Sequence, residues 1–132
     1  MTEKNTLVLI DDDPFFRELW ATRVEAEYMI AYDYIESLFS AEIDLSKVFL
    51  IILDYEIDQS DIVDLCYVQK IRNAGYTGPI AVSSMHSFKT LEPEKQKALR
   101  DSVDFVIPKK PLSLKQAQKL VQNIEISPHA RS

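Results

Sequence analysis

Seven side chains in this sequence share one setting: each stands where an apolar run gives way to polar residues. LVLI is followed by Asp11 and Asp12, VFLIILD ends on Asp54, IAVSS supplies Ser83 and Ser84, and FVIP leads to Lys109 and Lys110. Three carboxylates drawn together repel by roughly 4 kcal/mol per pair at about 4 Å and an effective dielectric near 20, so protons or a cation must relieve them. A hard divalent ion, Mg²⁺, does so with oxygen ligands while keeping several waters. Such an ion bridges carboxylates to a phosphoryl oxygen, which makes Asp54 a candidate nucleophile that forms an aspartyl phosphate. A hydroxyl from Ser83 or Ser84 would meet a phosphoryl oxygen, and an ammonium from Lys109 or Lys110 would offset its charge.

That convergence needs a scaffold that delivers distant segments to one edge. Val48–Asp54, with six uncharged residues before its carboxylate, reads as a strand buried on both faces. Leu7–Ile10 reads as the first strand, Tyr28–Tyr32 as the second, IAVS from Ile80 as the fourth and Val103–Ile107 as the fifth. Asp13 caps a helix opened by Pro14, in which Phe16, Leu19, Trp20 and Val24 make an apolar stripe. Tyr34–Ser40 reads as a short helix, and Ala41–Lys47 as a polar connection. Leu65, Val68 and Ile71 mark a third helix that Asn73-Ala74-Gly75 closes; Glu92–Ser102 and Leu112–Ile124 read as the last two. Strands alternating with helices predict an α/β fold, a doubly wound five-stranded parallel sheet in the order 2-1-3-4-5 with helices on both faces. Ligands of such sheets bind beyond the ends of strands 1 and 3, the ends that carry Asp11, Asp12 and Asp54.

Composition sets the outer limits. A chain of 132 residues makes one domain, expected over 1–126, with a polar tail at 127–132; a domain of this size buries about two thirds of its unfolded surface. A net charge of −6 speaks against a nucleic-acid surface, which needs clustered Lys and Arg. No apolar stretch approaches the roughly 20 residues of a membrane helix, and MTEKNT lacks the basic region and cleavage site of a signal peptide. The lone Cys66 has no partner for an internal disulfide, which fits a reducing cytoplasm.

Taken in order, LVLIDDDP, FLIILD, IAVSS and IPKKP resemble the four motifs of a response-regulator receiver domain, over Leu7 to about Ile124. The resemblance implies a flavodoxin-like architecture and phosphorylation of Asp54 by a histidine kinase or a histidine phosphotransfer protein. It implies a Mg²⁺ site in which Asp12 binds directly and Asp11 assists through water. Asp54 and the backbone carbonyl of Glu56 complete the protein ligands. Ser83 would meet the phosphoryl group together with Lys110, and the bond before Pro111 would be cis. Output would pass to a downstream protein on the face of the fourth helix, fifth strand and fifth helix, or through onward transfer. A phosphorylation-dependent dimer is compatible with that reading. Self-catalysed phosphorylation and dephosphorylation, rather than turnover of a substrate, would be the chemistry.

The chain departs from the family pattern in three places. The loop EIDQSDIVD after Asp54 lacks the usual Pro and Gly and is longer. Counting from Pro79 favours Ser84 over Ser83, and the long segment before Pro111 lets Lys109 replace Lys110. Val106 or Ile107 falls where a switch aromatic is usual, with Phe105 nearby. Plainer roles suit the remaining candidates: Asp13 is a helix cap, Asp58, Asp61 and Asp64 are a solvated face, and Cys66 is a small buried hydrophobe. His86 and His129 receive no role. Two rival functions follow: a docking module that has the fold without the switching, and an aspartate-nucleophile phosphatase in which Glu56 is the acid–base. An FMN protein fits less well, because DDDP is not a phosphate loop.

Overall fold

Val48–Asp54 is the central strand β3 of the computed structural model, and all seven of its residues are buried. The structure describes residues 5–57, 60–61, 67–85 and 88–126. Around β3 lie β1 (Thr6–Ile10), β2 (Met29–Tyr32), β4 (Ile80–Ser84) and β5 (Phe105–Pro108). All pairs are parallel and the spatial order is β2-β1-β3-β4-β5, the doubly wound order expected from the sequence. Parallel strands buried on both faces need apolar side chains on both, which is why these runs lack an alternating pattern.

Two core layers result. On one face Leu7, Leu9, Leu50, Ile52 and Ala81 pack with Trp20 and Val24 of α1 (Pro14–Val24) and with Ala117 and Val121 of α5 (Leu114–Ile126). On the other, Val8, Ile10, Ile51, Leu53 and Val82 pack with residues of α2 (Ile35–Ser40), α3 (Tyr67–Asn73) and α4 (Pro93–Ser102).

Caps set three of the helix boundaries. The Asp13 carboxylate accepts from Phe15 N at 2.9 Å, so α1 starts at Pro14 as its sequence requires. Gly75 at φ 102° ends α3 after Asn73, with Tyr76 N donating to the Ile71 carbonyl. The last helix begins at Leu114 rather than Leu112. Ser113 and Gln116 cap it reciprocally, Gln116 N donating to Ser113 Oγ at 3.1 Å and Ser113 N to Gln116 Oε1 at 2.9 Å.

Three local expectations are corrected. The loop after Asp54 is not plain: Glu56–Ile57 pairs antiparallel with Ser60–Asp61 as a small hairpin outside the sheet. No cis peptide bond occurs among the described residues, so the one expected before Pro111 is absent; the extra residue there lets Lys110 N close a tight turn on Pro108 O at 2.7 Å. The stripe of α1 is only partly core, since Trp20 and Val24 are buried while Leu19 is 36% exposed and Phe16 half-buried. Asp58, Asp64, Leu65, Cys66, His86, His129 and the tail 127–132 lie outside the described residues.

One clamp ties the strand starts together. The Asp104 carboxylate accepts from Ile80 N at 2.9 Å and lies 3.4 Å from the Arg72 guanidinium, which donates to the Gly78 carbonyl at 2.6 Å. The entrances of β4 and β5 are thereby fixed to α3.

Candidate functional site

The opposite edge of the sheet, where the strands end, collects the acidic residues. Side chains alternate along a strand, so residues in register lie on the same face. Asp54 is in register with Ser83, and Ser83 with Ile107. Asp54 continues the α1/α5 face set by Leu50 and Ile52, and Ser83 continues it after Ala81. Asp11 extends the series Leu7, Leu9, while Lys109 extends Phe105, Ile107. Backbone bonds carry the ladder past the strand ends: Tyr55 N donates to Ser83 O at 2.8 Å and Lys109 N to Ser84 O at 2.9 Å.

Carboxylate oxygens of Asp11, Asp12 and Asp54 lie within 4.8 Å of one another. Asp11 and Asp54 are buried, at 1% and 4% exposure, and Asp12 stands on the solvent side. Asp11 is fixed from two directions. Its carboxylate accepts from Asp13 N at 2.9 Å, and its backbone carbonyl accepts from Arg17 Nη1 at 2.7 Å. The Lys109 ammonium lies 3.1 Å from Asp54 Oδ2 and 3.6 Å from Asp11 Oδ2, with its side chain 11% exposed. Lys110 is exposed. It is therefore Lys109 that the structure brings to the carboxylates.

Ser83 Oγ is buried beside Asp54 in register and has no hydrogen-bond partner among the described residues. A buried hydroxyl without a partner costs about 1–3 kcal/mol, which is tolerable where a ligand completes it. Ser84 is also buried, with its side chain in the opposite parity. Glu56 begins the hairpin immediately past Tyr55.

Electrostatics follow from burial. Burial foremost, and then the Asp11 charge, push the Asp54 carboxyl up to about 7, against the opposing pull of Lys109. Burial likewise raises Asp11, with the Asp13 amide and Lys109 working the other way. For Lys109 burial disfavours the charge, but Asp11 and Asp54 outweigh it and the ammonium is held above its usual range. Even with that ammonium the site has excess negative charge. The donor set consists of oxygen atoms only, closely spaced and open to water at Asp12, which fits a hard divalent cation such as Mg²⁺.

Two residues near the cluster were not singled out by sequence for the site. Arg17 holds the Asp11 carbonyl, and the Lys109 ammonium lies over the Phe16 ring, 4.6 Å from its centroid. An apolar stripe marks Phe16 as core, and no sequence signal separates a ring that meets leucines from one that meets an amine.

The parallel order, the two helix layers and the carboxylate-bearing edge at the β1/β3 switch point define the receiver type of flavodoxin-like fold. Solved structures agree. A response regulator receiver protein from Pseudoalteromonas atlantica is 15% identical, covers 89% of this chain and 98% of its own, and superposes with a TM-score of 0.68. One from Pseudomonas putida is 18% identical over 93% of this chain and 99% of its own, also at 0.68. A response regulator protein from Burkholderia pseudomallei, solved with a phosphorylated aspartic acid, a calcium ion and citrate, is 17% identical over 96% and 71%, at 0.65. No protein-family model and no curated protein matches the chain. At these identities the likeness establishes the fold, and the chain has the receiver fold. No helix among the described residues is long and apolar enough to cross a membrane.

Proposed function

We propose that this chain contains a receiver module, spanning about residues 1–126, that accepts a phosphoryl group on Asp54. The observation that carries the reading is the juxtaposition at one edge of the acidic trio, a largely buried ammonium on Asp54 and, one strand away, a hydroxyl with no partner among the described residues. The donor would be a phosphohistidine of a kinase or phosphotransfer protein. A carboxylate oxygen of Asp54 attacks phosphorus, the P–N bond breaks, and its electron pair leaves with the imidazole nitrogen. Lys109 offsets the charge that arrives on Asp54, and Ser83 Oγ, without a partner among the described residues, donates to a phosphoryl oxygen. Asp11, Asp12, Asp54 and the Glu56 carbonyl would hold Mg²⁺, which when bound supplies positive charge to the transferring group. Arg17 and Asp13 N keep Asp11 in place during that step. Ser84 has the parity of the other face and Lys110 is exposed, so neither is assigned to the phosphoryl group.

Output on this reading is protein contact at the α4-β5-α5 face or onward transfer, in the cytoplasm, with no turnover substrate. A docking module without switching is the second reading, and the pairing of Glu56–Ile57 with Ser60–Asp61 favours it, because a plain loop is expected after the acceptor. Incubation with acetyl phosphate and Mg²⁺, followed by intact-mass measurement, separates the two. One labile phosphoryl group is expected on the wild type, none on Asp54→Asn and little on Asp12→Ala. A wild type that gains no mass overturns the proposal.

A further inference from the structure

We propose that Phe16 is a positioning residue that fixes the Lys109 ammonium on the carboxylate pair; its functional consequence rests on the aspartyl-phosphate reading above. The ammonium is attracted by Asp54 at 3.1 Å and Asp11 at 3.6 Å. Both lie at the end of the sheet, and carboxylate attraction alone leaves the long lysine stem free to change rotamer. The Phe16 ring supplies the remaining wall, 4.6 Å from the nitrogen, within the range where the negative face of an aromatic ring attracts a cation. Desolvation strengthens such a contact, and the Lys109 side chain is 11% exposed.

The ring is itself held. Phe15 meets it edge to face, with centroids 6.0 Å apart and planes at 79°. The neighbouring Arg17 donates to the Asp11 carbonyl at 2.7 Å, and Asp13 both caps the helix and donates its amide to the Asp11 carboxylate. The first turn of α1 is thus tied to the end of β1. Phe16 moves with the carboxylates rather than independently of them. This assigns the aromatic residue of a helix stripe to the reaction edge, where it sets how far the amine reaches across the site.

The test has two arms on the intact protein. In the first, lysine ε-carbons are labelled and the Lys109 ε-methylene signal, assigned with Lys109→Met, is read by NMR. A ring face at this distance shifts the protons upfield; Phe16→Leu should abolish the shift and Phe16→Tyr should keep it. In the second, the rate of labelling by acetyl phosphate with Mg²⁺ is compared. Phe16→Leu should slow it about fivefold, the scale of one partly desolvated cation–π contact, and Phe16→Tyr should restore it. In a Lys109→Met background Phe16→Leu should add nothing. The proposal is overturned if the ε-methylene shift is the same in wild type and Phe16→Leu. It is also overturned if Leu and Phe label alike, if Tyr fails as Leu does, or if Phe16→Leu slows labelling without the lysine. A wild type that takes no phosphoryl group refutes the aspartyl-phosphate reading instead, and the NMR arm still decides whether ring and amine are joined.

Discussion

Replacing Asp54 with Asn should make the metal-free protein more stable, although it removes the proposed reacting group. The Asp54 carboxyl titrates near 7 in the folded chain against an ordinary value of 3.8. Folding therefore favours its protonated form. The stability from that proton is fully present below about pH 4 and is lost as pH rises through 7. At about 1.36 kcal/mol per pH unit the full gap corresponds to roughly 4 kcal/mol, a ceiling because Asp11 relaxes together with Asp54 and because Asn leaves Lys109 with Asp11 alone. About 2 kcal/mol is the expected gain at pH 7.5 without divalent ions. It should fall below about 0.5 kcal/mol at pH 4.5, where wild-type Asp54 carries a proton. Urea unfolding of both proteins at several pH values in chelator measures the difference directly. Addition of Mg²⁺ should stabilise the wild type more than Asp54→Asn and close the gap. If the variant is less stable than the wild type at pH 7.5, or if the difference does not change with pH, Asp54 is a satisfied ion-pair partner and the argument from burial and the Asp11 charge fails.

Four further outcomes follow from named contacts. Ser83→Ala should leave the unmodified protein as stable or more stable by about 1 kcal/mol in thermal melts, since it deletes a buried hydroxyl with no partner among the described residues, yet it should lower phosphoryl accumulation. Lys109→Met should reduce labelling by acetyl phosphate at least tenfold, whereas Lys110→Met, at an exposed position, should stay within about twofold. Glu25 adopts φ 76° between α1 and the following turn, so Glu25→Gly should raise unfolding free energy by about 1 kcal/mol. Arg72→Leu should cost about 1–3 kcal/mol in urea unfolding by leaving Asp104 and the Gly78 carbonyl short of a donor.

Much of the fold was legible because its strands are apolar runs with sharp ends. Val48–Asp54 matches the sequence expectation residue for residue, and the sheet order follows from the alternation of strands and helices. The choices between Ser83 and Ser84, and between Lys109 and Lys110, were not legible. In a strand apolar on both faces, parity leaves no mark in composition, and only the pairing of Asp54 with Ser83 and of Ser83 with Ile107 reveals it. The pairing of Glu56–Ile57 with Ser60–Asp61 has no Asn-Gly or Asp-Gly step in the sequence to announce it. The start of α5, by contrast, was readable: Ser113 and Gln116 have capping-box spacing that the apolar periodicity overshadowed. The contact of Phe16 with Lys109 joins residues far apart in the chain and lies beyond any local pattern.

The staple of Arg72 and Asp104 has a mechanical consequence. It grips β4 and β5 where they enter the sheet, while Ser83 and Lys109 stand where they leave it. With the entrances stapled and the exits laced to one another and to β3 by backbone bonds, the two strands keep one register, so the spacing of Ser83 and Lys109 across the edge is fixed from both ends.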